Sequence, residues 1–168
     1  LYEVDMRLRP SGNSGPIASH ISAFISYHEE QAWTWEHMAL TRGRLVAGPQ
    51  KLRARVEAEI RRRLTERRDP NEILADARTM RARMAETFPG RNPWDLKHAA
   101  GGLVDIEFIV QTLVLRFSHA HPQLTGNLGN IALLRIAGEL GLIDAAVGQQ
   151  VGEECLVQVA PTPGELVH

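Results

Sequence analysis

The chain has 168 residues, 43% of them apolar and 23% charged, and a formal net charge of −1. This is the length of one domain with one sizeable core, and the charge balance excludes a global field that would recruit nucleic acid or an anionic membrane. The single cysteine, Cys155, excludes an internal disulfide framework and a cysteine-rich zinc site, and no apolar run is long enough for a membrane helix, so a reducing, cytoplasmic setting is expected.

The first stretch, Leu1–Gly15, reads LYEVDMRLRPSGNSG. Its period-two alternation predicts a strand. Tyr2, Val4, Met6 and Leu8 take one face, and Glu3, Asp5, Arg7 and Arg9 take the other. A carboxylate followed by arginines suits a site that handles a metal and phosphates; a solvated edge strand is the plainer reading. A chain that opens inside a strand, without an initiating Met, is expected to be a piece of something longer.

After a Gly/Pro/Asn loop, a helix is predicted from Ser19 or Ser22 to about Gln31. Ala32–Val46 follows as a second helix, and its tryptophans, Trp33 and Trp35, predict buried packing. Trp35, Glu36 and His37 are candidates to line a pocket beside Asp5. Gly48-Pro49 opens a helix over Gln50–Arg68 with an apolar stripe of Leu52, Val56, Ile60 and Leu64. Its many arginines, offset by Glu57, Glu59 and Glu66, read as a solvated face rather than a nucleic-acid surface. Asp69-Pro70 predicts a capped start for the next helix, Asn71–Phe88. Its apolar side includes Met80 and Met84, which read as core filling. Pro89–Ala100 is a loop carrying Trp94, Asp95, Lys97 and His98.

Gly101–Phe117, GGLVDIEFIVQTLVLRF, is apolar nearly all round and predicts a core helix. Asp105 and Glu107, two residues apart, fall on different faces. A helix start stabilises acids through its dipole, but buried acids also need partners, an arginine or a metal. Gly101-Gly102 permits a phosphate or a neighbouring segment to approach the backbone. His119 and His121 have no third ligand nearby. A further helix over Asn130–Leu140 stops at Gly141, and another can start in Ile143–Val151. The expected architecture is mainly α: one short strand, whose pairing partners would lie elsewhere, followed by a helical bundle of about six helices.

Three stretches carry a resemblance: LYEVDMRLRPSG (Leu1–Gly12), AWTWEHMALTRGRLVAG (Ala32–Gly48) and GGLVDIEFIVQTLVLRF (Gly101–Phe117). Together they resemble the bacterial glutamine synthetase adenylyltransferase family, a bifunctional enzyme with two related nucleotidyltransferase domains. One half adenylylates a tyrosine of glutamine synthetase; the other removes the AMP by phosphorolysis. The combination is most similar to the C-terminal, adenylylating half. The resemblance implies the remnant of a truncated α/β nucleotidyltransferase domain over 1–48, with the predicted strand as its last, a helical bundle over 49–153, and an atypical tail, 154–168, expected to be disordered. It implies Asp5 as a catalytic carboxylate and Mg²⁺ ligand at an ATP site, Arg7 and Arg9 near phosphates, and Asp105 and Glu107 as further cofactor-side candidates. The family's Gly-Ser and Asp-x-Asp motifs are not in this chain, so the chain alone is expected to be inactive. The partners implied are glutamine synthetase and a PII-type nitrogen-signal protein. The alternatives are a non-catalytic docking bundle and the deadenylylating half.

Overall fold

The computed structural model describes residues 9–89, 94–144 and 146. The predicted strand with Asp5 and Arg7, the tail from 154 and nearly all of the helix predicted in Ile143–Val151 lie outside the described residues. Among the described residues there are six α-helices and no strand. They are α1 (Ile21–Glu30), α2 (Thr34–Leu40), α3 (Gln50–Leu64), α4 (Pro70–Thr87), α5 (Leu103–Phe117) and α6 (Asn130–Glu139), with 3-10 turns at Gly12–Ser14 and Pro122–Thr125.

The helix most apolar in sequence, α5, is the central strut. It packs against α2, α4 and α6 and feeds two apolar clusters. Ile106, Val110 and Val114 join Leu124, Leu133 and Leu134 in one cluster. On its other side Leu115, fully buried, joins Met38, Leu64, Ile73 and Ala77. A helix between two cores needs apolar residues on most of its circumference. Ile109, about half exposed, is the exception.

The helix starts and stops follow local chemistry. The Asp69 carboxylate accepts from the Asn71 N–H at 2.7 Å, and Pro70 sits in the first turn of α4, where a missing N–H costs nothing. Gly141, at φ +67, follows the last turn of α6, a left-handed stop that glycine adopts without strain. In the loop before α1, a Cβ on Gly15 would sit 2.1 Å from the Pro10 carbonyl oxygen, so only glycine lets the chain fold back there. The α1 cap is neither Ser19 nor Ser22: His20 takes it, its Nδ1 accepting from the Ser22 N–H.

Three expectations change. First, α2 ends at Leu40 rather than Val46, because Thr41, Arg42 and Gly43 turn back on the carbonyls of Met38, Ala39 and Leu40. Second, Trp33 and Trp35 are 68% and 39% exposed. The inward side of this short helix is taken by Glu36, His37 and Met38, which leaves the tryptophans at its outward N-terminal end. Third, α3 ends at Leu64 rather than Arg68 and is not simply a solvated face. Leu64 is buried, Leu52 is not, and Arg63 is 3% exposed.

Candidate functional site

Each of the two acids of α5 meets an arginine. Arg81 of α4 donates through Nε to Asp105 Oδ1 and through Nη2 to the His98 carbonyl. The other carboxylate oxygen, Oδ2, accepts from the Gly101 N–H at 2.6 Å. Burial alone would raise the Asp105 pKa; the Arg81 and Gly101 hydrogen bonds outweigh it and hold the carboxyl below the usual range. Glu107, on the next face, pairs with Arg42 at 2.6 Å. These neighbouring acids therefore tie α5 to α4 and to the turn after α2. Gly102 sits under this arrangement with no room for a side chain: a Cβ would lie 2.6 Å from the Leu96 carbonyl oxygen and 2.8 Å from that of Ala99. The backbone approach expected of Gly101-Gly102 is made by the 96–99 segment.

A second polar cluster joins α1 to α2. The Tyr27 hydroxyl donates to Glu36 Oε1 at 2.6 Å, and Glu36 Oε2 accepts from the Trp33 N–H at 2.9 Å. An indole has no acceptor, so Glu36 caps the start of α2 alone. Burial and the Glu36 hydrogen bond push the Tyr27 phenol up. His37 Nε2 donates to the His28 carbonyl at 3.3 Å. His28 itself is packed between the rings of Phe24 and His37, and its Nδ1 is buried without a hydrogen-bond partner. Burial first, then His37, lowers its pKa to about 4; burial also lowers His37. Both imidazoles are neutral at pH 7.

This cluster borders a cavity of about 200 Å³ lined by Arg9, Pro10, Phe24, His28, Glu36 and Leu40, among others. Glu36 lines this cavity beside Arg9 and Pro10, whereas Trp35 and His37 are not on its wall; the neighbourhood of Asp5, where a pocket is expected, lies outside the described residues. Arg9 donates from Nε to the Gly15 carbonyl at 3.4 Å, closing its own loop. Asp5 and Arg7, the other site candidates of the Leu1–Gly15 stretch, lie outside the described residues. Among the described residues no group of three His, Cys, Asp or Glu side chains could hold a metal ion.

The charges of α3 divide into two sets. Arg63 is held by Glu59 at 2.8 Å, Glu29 at 2.5 Å and Glu66 at 3.0 Å. Arg62 shares Glu59 and Glu29, and Arg68 pairs with Glu66 at 3.3 Å. Burial would raise Glu59, but Arg62 and Arg63 bring it below the usual range. The side chains of Arg61 and Glu57 have no hydrogen-bond or ion-pair partner among the described residues; nor does that of Arg44, on the segment that leads into α3. The sequence offered eight basic residues on this stretch but not this sorting, which depends on Glu29 arriving from α1.

Fold and site define a mainly helical bundle braced by arginine–carboxylate pairs around a central apolar helix. Its sequence relatives say which bundle. Residues 1–59 match the family model described as Glutamate-ammonia ligase adenylyltransferase. Over 146 residues, 86% of this chain, it is 50% identical to a bifunctional glutamine synthetase adenylyltransferase/adenylyl-removing enzyme of Nitrosomonas europaea. It is equally similar, at 50% over 149 residues, 89% of the chain, to the protein of the same description from Chromobacterium violaceum. A third relative, from Aromatoleum aromaticum, is 49% identical over 157 residues, 91% of the chain. The chain belongs to this glutamine synthetase adenylyltransferase family. It spans 16% or 17% of the length of these relatives. No helix among the described residues is long and apolar enough to cross a membrane.

Proposed function

We propose that this chain is a segment of the adenylylating half of a bifunctional enzyme that transfers AMP from ATP to a tyrosine of glutamine synthetase in the cytoplasm. What carries the reading is identity at half of all positions, over 146 residues, to enzymes bearing that description. The combination of YEVDMRLRPSG, AWTWEH and GGLVDIEF favours the adenylylating half. On this reading Asp5 is the one carboxylate the chain brings to a Mg²⁺–ATP site, and a bound Mg²⁺ would supply charge neutralisation at the phosphates. Arg7 and Arg9 stand on the phosphate side. Asp105 and Glu107 act as positioning residues: through Arg81 and Arg42 they set α4 and the turn after α2 against α5. That turn leads on from Glu36, Leu40 and the cavity beside Arg9. The chain by itself does not transfer AMP, because most of the metal-binding carboxylates would come from elsewhere in a longer protein.

The test is an Asp5→Asn substitution in a longer protein that contains this segment. Loss of AMP addition with AMP removal retained supports the adenylylating half. The reverse assigns the segment to the deadenylylating half. No effect on either activity, together with no Mg-ATP binding by the chain alone, leaves a docking bundle that recognises glutamine synthetase or a PII-type signal protein.

A further inference from the structure

Arg61 and Glu57 of α3 line a second cavity, which meets the one beside Arg9 and Glu36 at Gly43. It measures about 260 Å³ and lies between the turn after α2, the middle of α3 and the 3-10 turn before α6. Arg44 enters from the first, Arg61 and Glu57 from the second, and Thr125, Gly126 and Asn127 form the third side. Neither guanidinium has a hydrogen-bond or ion-pair partner among the described residues, although Glu57 is four positions from Arg61 on the same helix. The third side has its own anion-binding geometry. Gly126 is right-handed at φ −71, ψ 7, and Asn127 is left-handed at φ +49. That succession turns consecutive N–H groups into one concavity. Pairs of arginines match phosphate oxygens bidentately.

We propose that this cavity binds the phosphate group of a small phosphate monoester. The dianion is held between Arg44, Arg61 and the Gly126–Asn127 turn. A bare phosphate does not fill the space, and its charge is opposed by Glu57. An ester with a compact hydroxylated body fills the remainder and gives the Glu57 carboxylate a hydroxyl to accept from. The site is separate from the adenylyl-transfer reading and does not depend on it.

The test is calorimetric titration of the 168-residue chain at low ionic strength with two probes, inorganic phosphate and glycerol phosphate. Circular dichroism checks that each variant keeps its helix. Both probes bind, glycerol phosphate the more tightly. Arg44→Gln and Arg61→Gln each weaken both by about tenfold, the value of one charge-assisted contact. Glu57→Gln acts in opposite directions: it strengthens inorganic phosphate by removing repulsion and weakens glycerol phosphate by removing the hydroxyl's partner. No binding of either probe by folded chain overturns the site, as does equal binding by the Arg44→Gln/Arg61→Gln double variant. Glycerol phosphate that binds no better than inorganic phosphate overturns the assignment to an ester. Because Asp5→Asn leaves these titrations unchanged, failure here is distinguishable from failure of the adenylylation reading.

Discussion

The Tyr27 hydroxyl donates to Glu36 Oε1 at 2.6 Å across the junction of α1 and α2, and the same carboxylate caps α2 through the Trp33 N–H. One buried side chain thus both joins two helices and starts one of them. Tyr27→Phe removes the link but leaves the cap, and should cost about 2 kcal/mol, as for a hydrogen bond to a charged acceptor. Glu36→Ala removes both the link and the cap, so it should cost about 3 kcal/mol. Urea midpoints at pH 7 measure the two; equal losses would mean that the cap contributes nothing.

Stability should fall on mild acidification. His28 titrates at about 4 in the folded chain against about 6.5 when unfolded. Below 6.5 the unfolded chain binds the extra proton first, so stability is full above that pH and is lost as pH falls toward 4. The His28 contribution is on the order of 3 kcal/mol, and His37, lowered by the same burial, adds in the same direction. His28→Leu should flatten part of this slope in urea unfolding followed from pH 7.5 to pH 4, about the range over which the two states differ. At pH 7 it should cost little, because the Nδ1 it removes has no partner.

Arg63 is buried among acids, which makes it dependent on its partners in a way the exposed arginines are not. Arg63→Met leaves the buried Glu59 short of a counter-charge and should cost about 3 kcal/mol. Adding Glu59→Leu should recover most of that loss, since a matched apolar pair avoids both desolvation penalties. Thermal or urea unfolding of the single and double variants decides it; additive losses would show that the pair has no coupling.

The two braces of α5 should differ in strength. Arg81 and Asp105 are about one-fifth and one-quarter exposed and share the Gly101 N–H and the His98 carbonyl. Arg42 is 55% exposed and its pair with Glu107 stands alone. A double-mutant cycle should give about 2 kcal/mol for the first pair and under about 1 kcal/mol for the second. Gly102→Ala, driven into the Leu96 and Ala99 carbonyls, should destabilise by about 3 kcal/mol, more than Gly101→Ala, which pays only about 1 kcal/mol for its positive φ.

The sequence by itself determined the order of the helices, the start and stop at Asp69-Pro70 and Gly141, and the central place of α5. Asp69-Pro70, Gly141 and the apolar run from Leu103 act through their own backbone and nearest neighbours, so local chemistry suffices to read them. It also marked Asp105 and Glu107 as acids in need of partners, and it carried the family. Only the tertiary structure decided what lies between elements. It chose Arg81 and Arg42 as those partners, brought Glu29 to Arg62 and Arg63, exposed Trp33 and Trp35, and gathered Arg44, Arg61 and Asn127 around one cavity. These pairings join residues far apart in the chain, and their energies depend on burial and distance, neither of which is a property of any local pattern of residues.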